Sequence, residues 1–156
     1  MAVWQFRIEL IPSNWFIENT NGIEMLYTDG SYDSEPAWSG ILFNSIELTL
    51  IDKFYSRYAG WHKNHICWGN EESTDIQLWK NGSYVESMSA RIDARGNINF
   101  DILSIIAIAE GFGCHLFLPE LKIIIEPIEH EIRNNIIKSR AAAFTKDPVG
   151  FLKKLT

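Results

Sequence analysis

The stretch Asp75-Ile76-Gln77-Leu78-Trp79-Lys80-Asn81-Gly82-Ser83-Tyr84-Val85-Glu86-Ser87-Met88-Ser89-Ala90-Arg91-Ile92-Asp93 decides the fold. Asn-Gly between two extended runs is the strongest short-range hairpin signal, because both turn positions want positive φ. A two-residue turn at Asn81-Gly82 would set Trp79 opposite Tyr84, Leu78 opposite Val85, Gln77 opposite Glu86 and Ile76 opposite Ser87. One hairpin face then carries Trp79, Tyr84, Met88, Ala90 and Ile92. The other face of the second strand carries Val85, Ser87, Ser89, Arg91 and Asp93.

Working upstream, residues 2–11 alternate. Trp4, Phe6, Ile8 and Leu10 point one way and Gln5, Arg7 and Glu9 the other, until Pro12. That is a half-buried strand. Residues 13–40 are rich in Asn, Ser, Gly, Asp and Pro and read as a long irregular excursion. From Asn44, with Glu47 three residues on as in a capping box, Ile46, Leu50, Ile51, Phe54, Tyr55 and Tyr58 recur at helical spacing until Gly60. The pattern predicts a helix there. Trp61 to Asn70 alternates rings and polar groups without a long period and is expected to form a structured loop.

Downstream, Asn99 is placed to cap a helix over residues 100–110, stopped by Gly111 or Gly113. That helix is apolar nearly all round, so neighbours should cover it from both sides, the C-terminal helices being the candidates. Cys114 to Leu118 reads as a strand and Lys122 to Ile125 as its short hairpin partner. Pro127 opens a run with Ile128, Ile132, Ile136, Ile137, Ala141 and Phe144 at helical spacing, and Asp147-Pro148 starts a last short helix. The expected fold is α+β in one domain over residues 1–156. It has an antiparallel sheet, a ferredoxin-like (βαββαβ) core and two added C-terminal helices. In that topology the first strand and the Arg91 strand are central neighbours, so Arg7, Glu9, Ser89, Arg91 and Asp93 share the face away from the helices.

The chain carries 14 basic and 20 acidic residues, a net charge of −6. That balance makes nucleic acid a poor partner. Its densest basic stretch, Lys138 to Arg140 with Lys146, Lys153 and Lys154, suits helix ends, where cations are favoured. Two cysteines, Cys67 and Cys114, are too few for a secreted disulfide framework and are read as reduced thiols. No apolar run approaches the roughly 18 residues of a membrane helix, and the N-terminus lacks the pattern of a secretory signal. A cytoplasmic protein without membrane attachment is expected.

Trp68-Gly69 near a strand, Arg91-Ile92-Asp93-Ala94-Arg95 closing the hairpin, and Ser139-Arg140-Ala141 followed by Phe144, Asp147-Pro148 and Phe151-Leu152 form an ordered set. With the tryptophan-rich start and Trp38-Ser39-Gly40, this order resembles a family of small bacterial proteins without an established activity. The resemblance covers most of the chain. It implies a bacterial origin and a single domain, and it carries over no catalytic residue.

Two constellations could bear chemistry. Arg7, Glu9, Arg91, Asp93 and Arg95 put alternating opposite charges on one sheet face, which is costly unless they pair or meet a ligand. Either Arg91 and Asp93 pair with Glu9 and Arg7 across strands as a structural network, or the face stays partly open and binds a small anion or a partner's polar surface. His62-x-x-His65-x-Cys67 offers three soft-metal ligands, but its spacing matches no zinc pattern, and Trp61, Ile66 and Trp68 interleave it as in a loop anchored by its rings. No cofactor is called for. Glu126, Glu129, His130 and Glu131 suit the first turn of a helix. No nucleophile elbow, phosphate loop or His-Glu-x-x-His motif is present, and Gly111-Phe112-Gly113 follows a helix rather than a strand.

Two functions remain. One is a non-enzymatic protein-binding module of immunity or accessory type, whose acidity suits a basic partner such as a toxin domain, with Trp61 and Trp68 among the binding candidates. The other is a small-molecule binder or enzyme using the polar sheet face.

Overall fold

A computed structural model describes residues 1–155. The chain runs through β1 (Gln5–Pro12), α1 (Ser13–Glu18), β2 (Tyr27–Thr28), β3 (Ser31–Tyr32), α2 (Glu35–Trp38), α3 (Thr49–Asp52), β4 (Arg57–Tyr58), β5 (His65–Gly69), β6 (Asp75–Asn81) and β7 (Tyr84–Asp93). It continues with α4 (Asn99–Gly111), β8 (Cys114–Leu118), β9 (Ile123–Ile125), α5 (Glu129–Ile137), α6 (Arg140–Lys146) and α7 (Pro148–Lys153). The class is α+β, built on a seven-stranded antiparallel sheet in the order β4-β5-β6-β7-β1-β8-β9.

The central pairing follows from β1. Its Phe6, Ile8 and Leu10 are buried on one face, and it lies between β7 and β8 with Arg7 opposite Arg91 and Glu9 opposite Ser89 and Phe117. Glu9 and Ile11 are buried as well, so β1 is covered on both sides where an alternating strand predicts water on one. Ile102, Ile105 and Ile108 of α4 and Ile132 and Ile136 of α5 join Ile8 and Leu116 in one continuous core. Each such buried aliphatic side chain contributes about 1.5–3 kcal/mol.

The structure departs from several expectations. The sheet has seven strands rather than the four of a bare ferredoxin-like core, and the helix expected from Asn44 to Gly60 is absent. Only a 3-10 turn at Phe43–Ser45 and the single turn of α3 form before the chain enters β4. The cause is tertiary: Asp52 accepts hydrogen bonds from the Trp68 indole (2.8 Å) and from Arg57 (2.8 and 2.9 Å), and Tyr58 reaches Asp75. Those anchors hold residues 57–58 against β5 and override helical spacing.

The loop expected at 61–70 contains a strand, β5. Its alternation of His65 and Cys67 against Ile66 and Trp68 is a period of two in too short a run to stand out. The hairpin register also differs. The turn residues are Gly82 and Ser83, with Asn81 opposite Tyr84 and Gly82 at φ +59°, and a bulge leaves Glu86 without a partner, so that Trp79 pairs with Ser87. A bulge reverses the facing of every residue beyond it. Val85 therefore lies in the core, and Trp79 moves to the polar face.

Finally, Asn99 is the first residue of α4 rather than its cap, which is Ile98; the Asn97 side chain accepts from the Asn99 amide at 2.9 Å, and the Asn99 side chain accepts from Arg133. This helix packs on β8, α3 and α5, so the C-terminal helices cover only one of its sides. The remaining resemblance motifs are capping devices here: Ser139 accepts from the Ala142 amide at the start of α6, and Asp147 from the Gly150 amide at the start of α7.

Candidate functional site

The polar face of the sheet is assembled by strand register. One row crosses it through Tyr58, Cys67, Gln77, Ser89, Glu9 and Phe117, and the next through Asp75, Arg91 and Arg7. The segment read as an irregular excursion folds over one half of this face. Tyr32 stacks on Phe117 with centroids 5.1 Å apart, Tyr27 meets the same ring edge-on at 6.3 Å, and the Arg7 guanidinium lies 5.8 Å from the Tyr32 ring.

The charged candidates pair differently from the cross-strand scheme expected of them. Arg91 grips Asp75 of β6 through two nitrogens, Nε at 2.6 Å and Nη2. Asp75 is fully buried and also accepts from Tyr58 (2.7 Å) and Gln77 (2.9 Å). Asp93 pairs with Arg95, whose guanidinium lies 4.3 Å from the Trp4 ring, and Arg7 pairs with Glu9 on its own strand. Arg91, Asp93 and Arg95 thus each have an ion-pair partner within the chain.

The two candidate tryptophans part company. Trp68 is buried and donates to Asp52, and the Arg57 guanidinium lies 5.4 Å from its ring. Trp61 is 77% exposed and rests edge-on against Trp79 at 5.1 Å. On the other side of the cluster, His65 stacks on Trp79 at 4.2 Å, and its Nε2 meets Gln77 (3.2 Å) and the Cys67 thiol (3.3 Å). Burial lowers the His65 pKa and raises those of both thiols, Cys114 to about 12. The His62 ring accepts from the Asn64 amide. His65 and Cys67 meet as a pair, and among the described residues no group of three His, Cys, Asp or Glu side chains is placed to hold a metal ion.

Between the Tyr32 roof and the Trp61–Trp79 pair lies a hollow of about 420 Å³, lined by Arg7, Glu9, Asp33 and Ser34 and by Glu86 and Ser87 beyond the bulge. Glu9 is fully buried. Its Oε1 accepts from Arg7, its Oε2 has no partner, and burial, partly offset by the Arg7 charge, raises its pKa to about 7. The hydroxyls of Tyr32 and Ser34, also buried, make no well-formed hydrogen bond. Burial raises the Glu86 carboxyl too, with Glu35 and Asp33 adding to it. Asp33, Glu35 and Glu86 belong to none of the ion pairs among the described residues.

Sequence reasoning reached Arg7, Glu9 and Trp61 and missed Tyr32, Asp33, Ser34, Trp79 and Glu86. Trp79 and Glu86 were hidden by the bulge, and residues 32–34 carry no local signal of the strand they cover. No family model, curated protein or solved structure matches the chain.

Proposed function

We propose that the protein is a non-enzymatic binding module, of immunity or accessory type, that docks a basic protein partner such as a toxin domain on the hollow between Tyr32 and Trp61. The observation that carries this reading is Trp61, 77% exposed and propped on Trp79 beside the unpaired carboxylates of Asp33 and Glu86. An exposed, pre-positioned Trp is the side chain most often dominant in interface energetics, and a local excess of acid steers a basic surface toward it. The acidic rim also favours a cationic ligand over the small anion considered from sequence. In this reading the scaffold is a ferredoxin-like core of β1, β6, β7 and β8, supported by their order in the sheet, from a small bacterial, cytoplasmic protein.

A photo-crosslinking side chain at residue 61, compared with one at exposed Ile137, tests the reading in the cells of origin. A basic protein captured from residue 61 alone, and lost when Asp33 and Glu86 are both changed to Lys, is the expected result. Equal capture from both positions, or none, overturns it.

A second reading is favoured by Glu9, whose pKa of about 7 in a hollow is what a general acid or base working near neutrality requires. In that case a small molecule, rather than a protein, occupies the same space.

A further inference from the structure

We infer that the hollow is a primary-ammonium site, which takes the ε-ammonium of a lysine side chain with Glu9 at its floor and Trp61 and Trp79 along its wall. This inference rests on the protein-binding reading for the source of the lysine, but the chemistry of the site stands apart from it.

Three observations converge. An alkylammonium presents three N–H donors and no acceptor. One buried acceptor of a residue lining the hollow, Glu9 Oε2, lacks a partner, and the Tyr32 and Ser34 hydroxyls beside it interact with each other without a well-formed hydrogen bond. Buried polar atoms are nearly always satisfied, so an unmet carboxylate oxygen, with two hydroxyls nearby that are able to accept, suits a donor-rich group. The second observation is charge. Among the described residues Arg7 is the one cation lining the hollow, against Glu9, Asp33 and Glu86, with Glu35 acting on Glu86 from nearby. An incoming cation relieves that crowding, whereas an anion would add to it. The third is the wall: Trp61 and Trp79 offer aromatic surface to the methylenes of a lysine and to its charge. Arginine fits less well, because five donors in a rigid fork exceed the acceptors available and Arg7 already occupies Glu9 Oε1.

The test is a titration of the full chain followed by NMR at the indole N–H signals of Trp61 and Trp79, with buried Trp38 as control. Nα-acetyl-lysine methylamide should shift the first two saturably with a dissociation constant of roughly 1–10 mM, as expected of a ligand with so few atoms. The affinity should fall at least about 10-fold in Glu9→Gln and several-fold in the less buried Glu86→Gln. Equal binding of the Nε-acetylated analogue, equal binding of the arginine analogue, or no saturable shift overturns the site. If that happens while residue 61 still crosslinks to a basic protein, the docking function survives without a lysine pocket. If the lysine analogue and n-butylamine both bind but no protein is captured, the ammonium site is upheld with a free amine as its ligand, and the docking function falls.

Discussion

Arg7 and Arg91 stand directly opposite each other on neighbouring central strands, and each is neutralised along its own direction, Arg7 by Glu9 and Arg91 by Asp75. Two like charges in register would repel. Here each has a carboxylate partner, and the two pairs differ in kind. The Asp75–Arg91 pair is buried, with two guanidinium contacts and two further donors on Asp75, whereas Arg7 is 46% exposed in its side chain and Glu9 keeps one oxygen unmet.

Arg91→Ala should therefore act as a structural change. Removing the guanidinium leaves Asp75 buried without its counter-charge, a loss of about 3–5 kcal/mol. A chemical denaturation curve checks this, and the Asp75→Ala/Arg91→Ala double variant should cost clearly less than the sum of the two single changes.

Glu9 links stability to pH in the direction opposite to most carboxylates. The folded protein holds this proton to about pH 7, against an ordinary value of 4.5, so the folded state binds more protons between those values. Its contribution is full below about pH 4.5, falls as pH rises towards 7, and is lost above it, a span of up to about 3 kcal/mol. Arg7 and the Tyr32 hydroxyl are the titratable groups against it. Glu9→Gln should match the natural protein at pH 5 and exceed it by about 1–3 kcal/mol at pH 8. Thermal melts across that range would refute this if the two curves stay parallel.

The two loop tryptophans of the sequence should separate in a stability assay. Trp68→Phe loses the hydrogen bond to Asp52 and buried ring volume, and should cost about 2–3 kcal/mol. Trp61→Ala, at an exposed site, should stay within about 0.5 kcal/mol of the natural protein while weakening lysine binding.

Gly69 should resist replacement. Its φ is +90°, and a Cβ there would sit 2.4 Å from the Thr74 carbonyl oxygen. Gly69→Ala is expected to cost about 2 kcal/mol or more, from backbone conformation and the clash together. A melting temperature unchanged by the substitution would show that the 69–75 turn rearranges freely.

Much of the polar face is legible in the order of the residues. Alternation in residues 5–10 and 87–93 places Arg7, Glu9, Ser89, Arg91 and Asp93 together, as observed, because a period of two is dictated by the chain itself. Which charge pairs with which is not legible there. Asp75 reaches Arg91 through a register reset by the bulge at Glu86, and a bulge leaves no mark in residue type.

By itself, then, the amino-acid order pointed to an α+β chain, strands at 2–11, 83–93 and 114–118, a helix over 100–110, and the start of a last short helix at Asp147-Pro148. Those features rest on local periodicity and on side chains reaching their own backbone. The tertiary structure alone decided that residues 44–60 abandon helical spacing, that Trp79 turns to the polar face, and that Tyr32 and Ser34 close over Glu9. Each of these depends on contacts between residues distant in sequence, where pairing with a neighbouring strand or burial against it outweighs the preference of the segment.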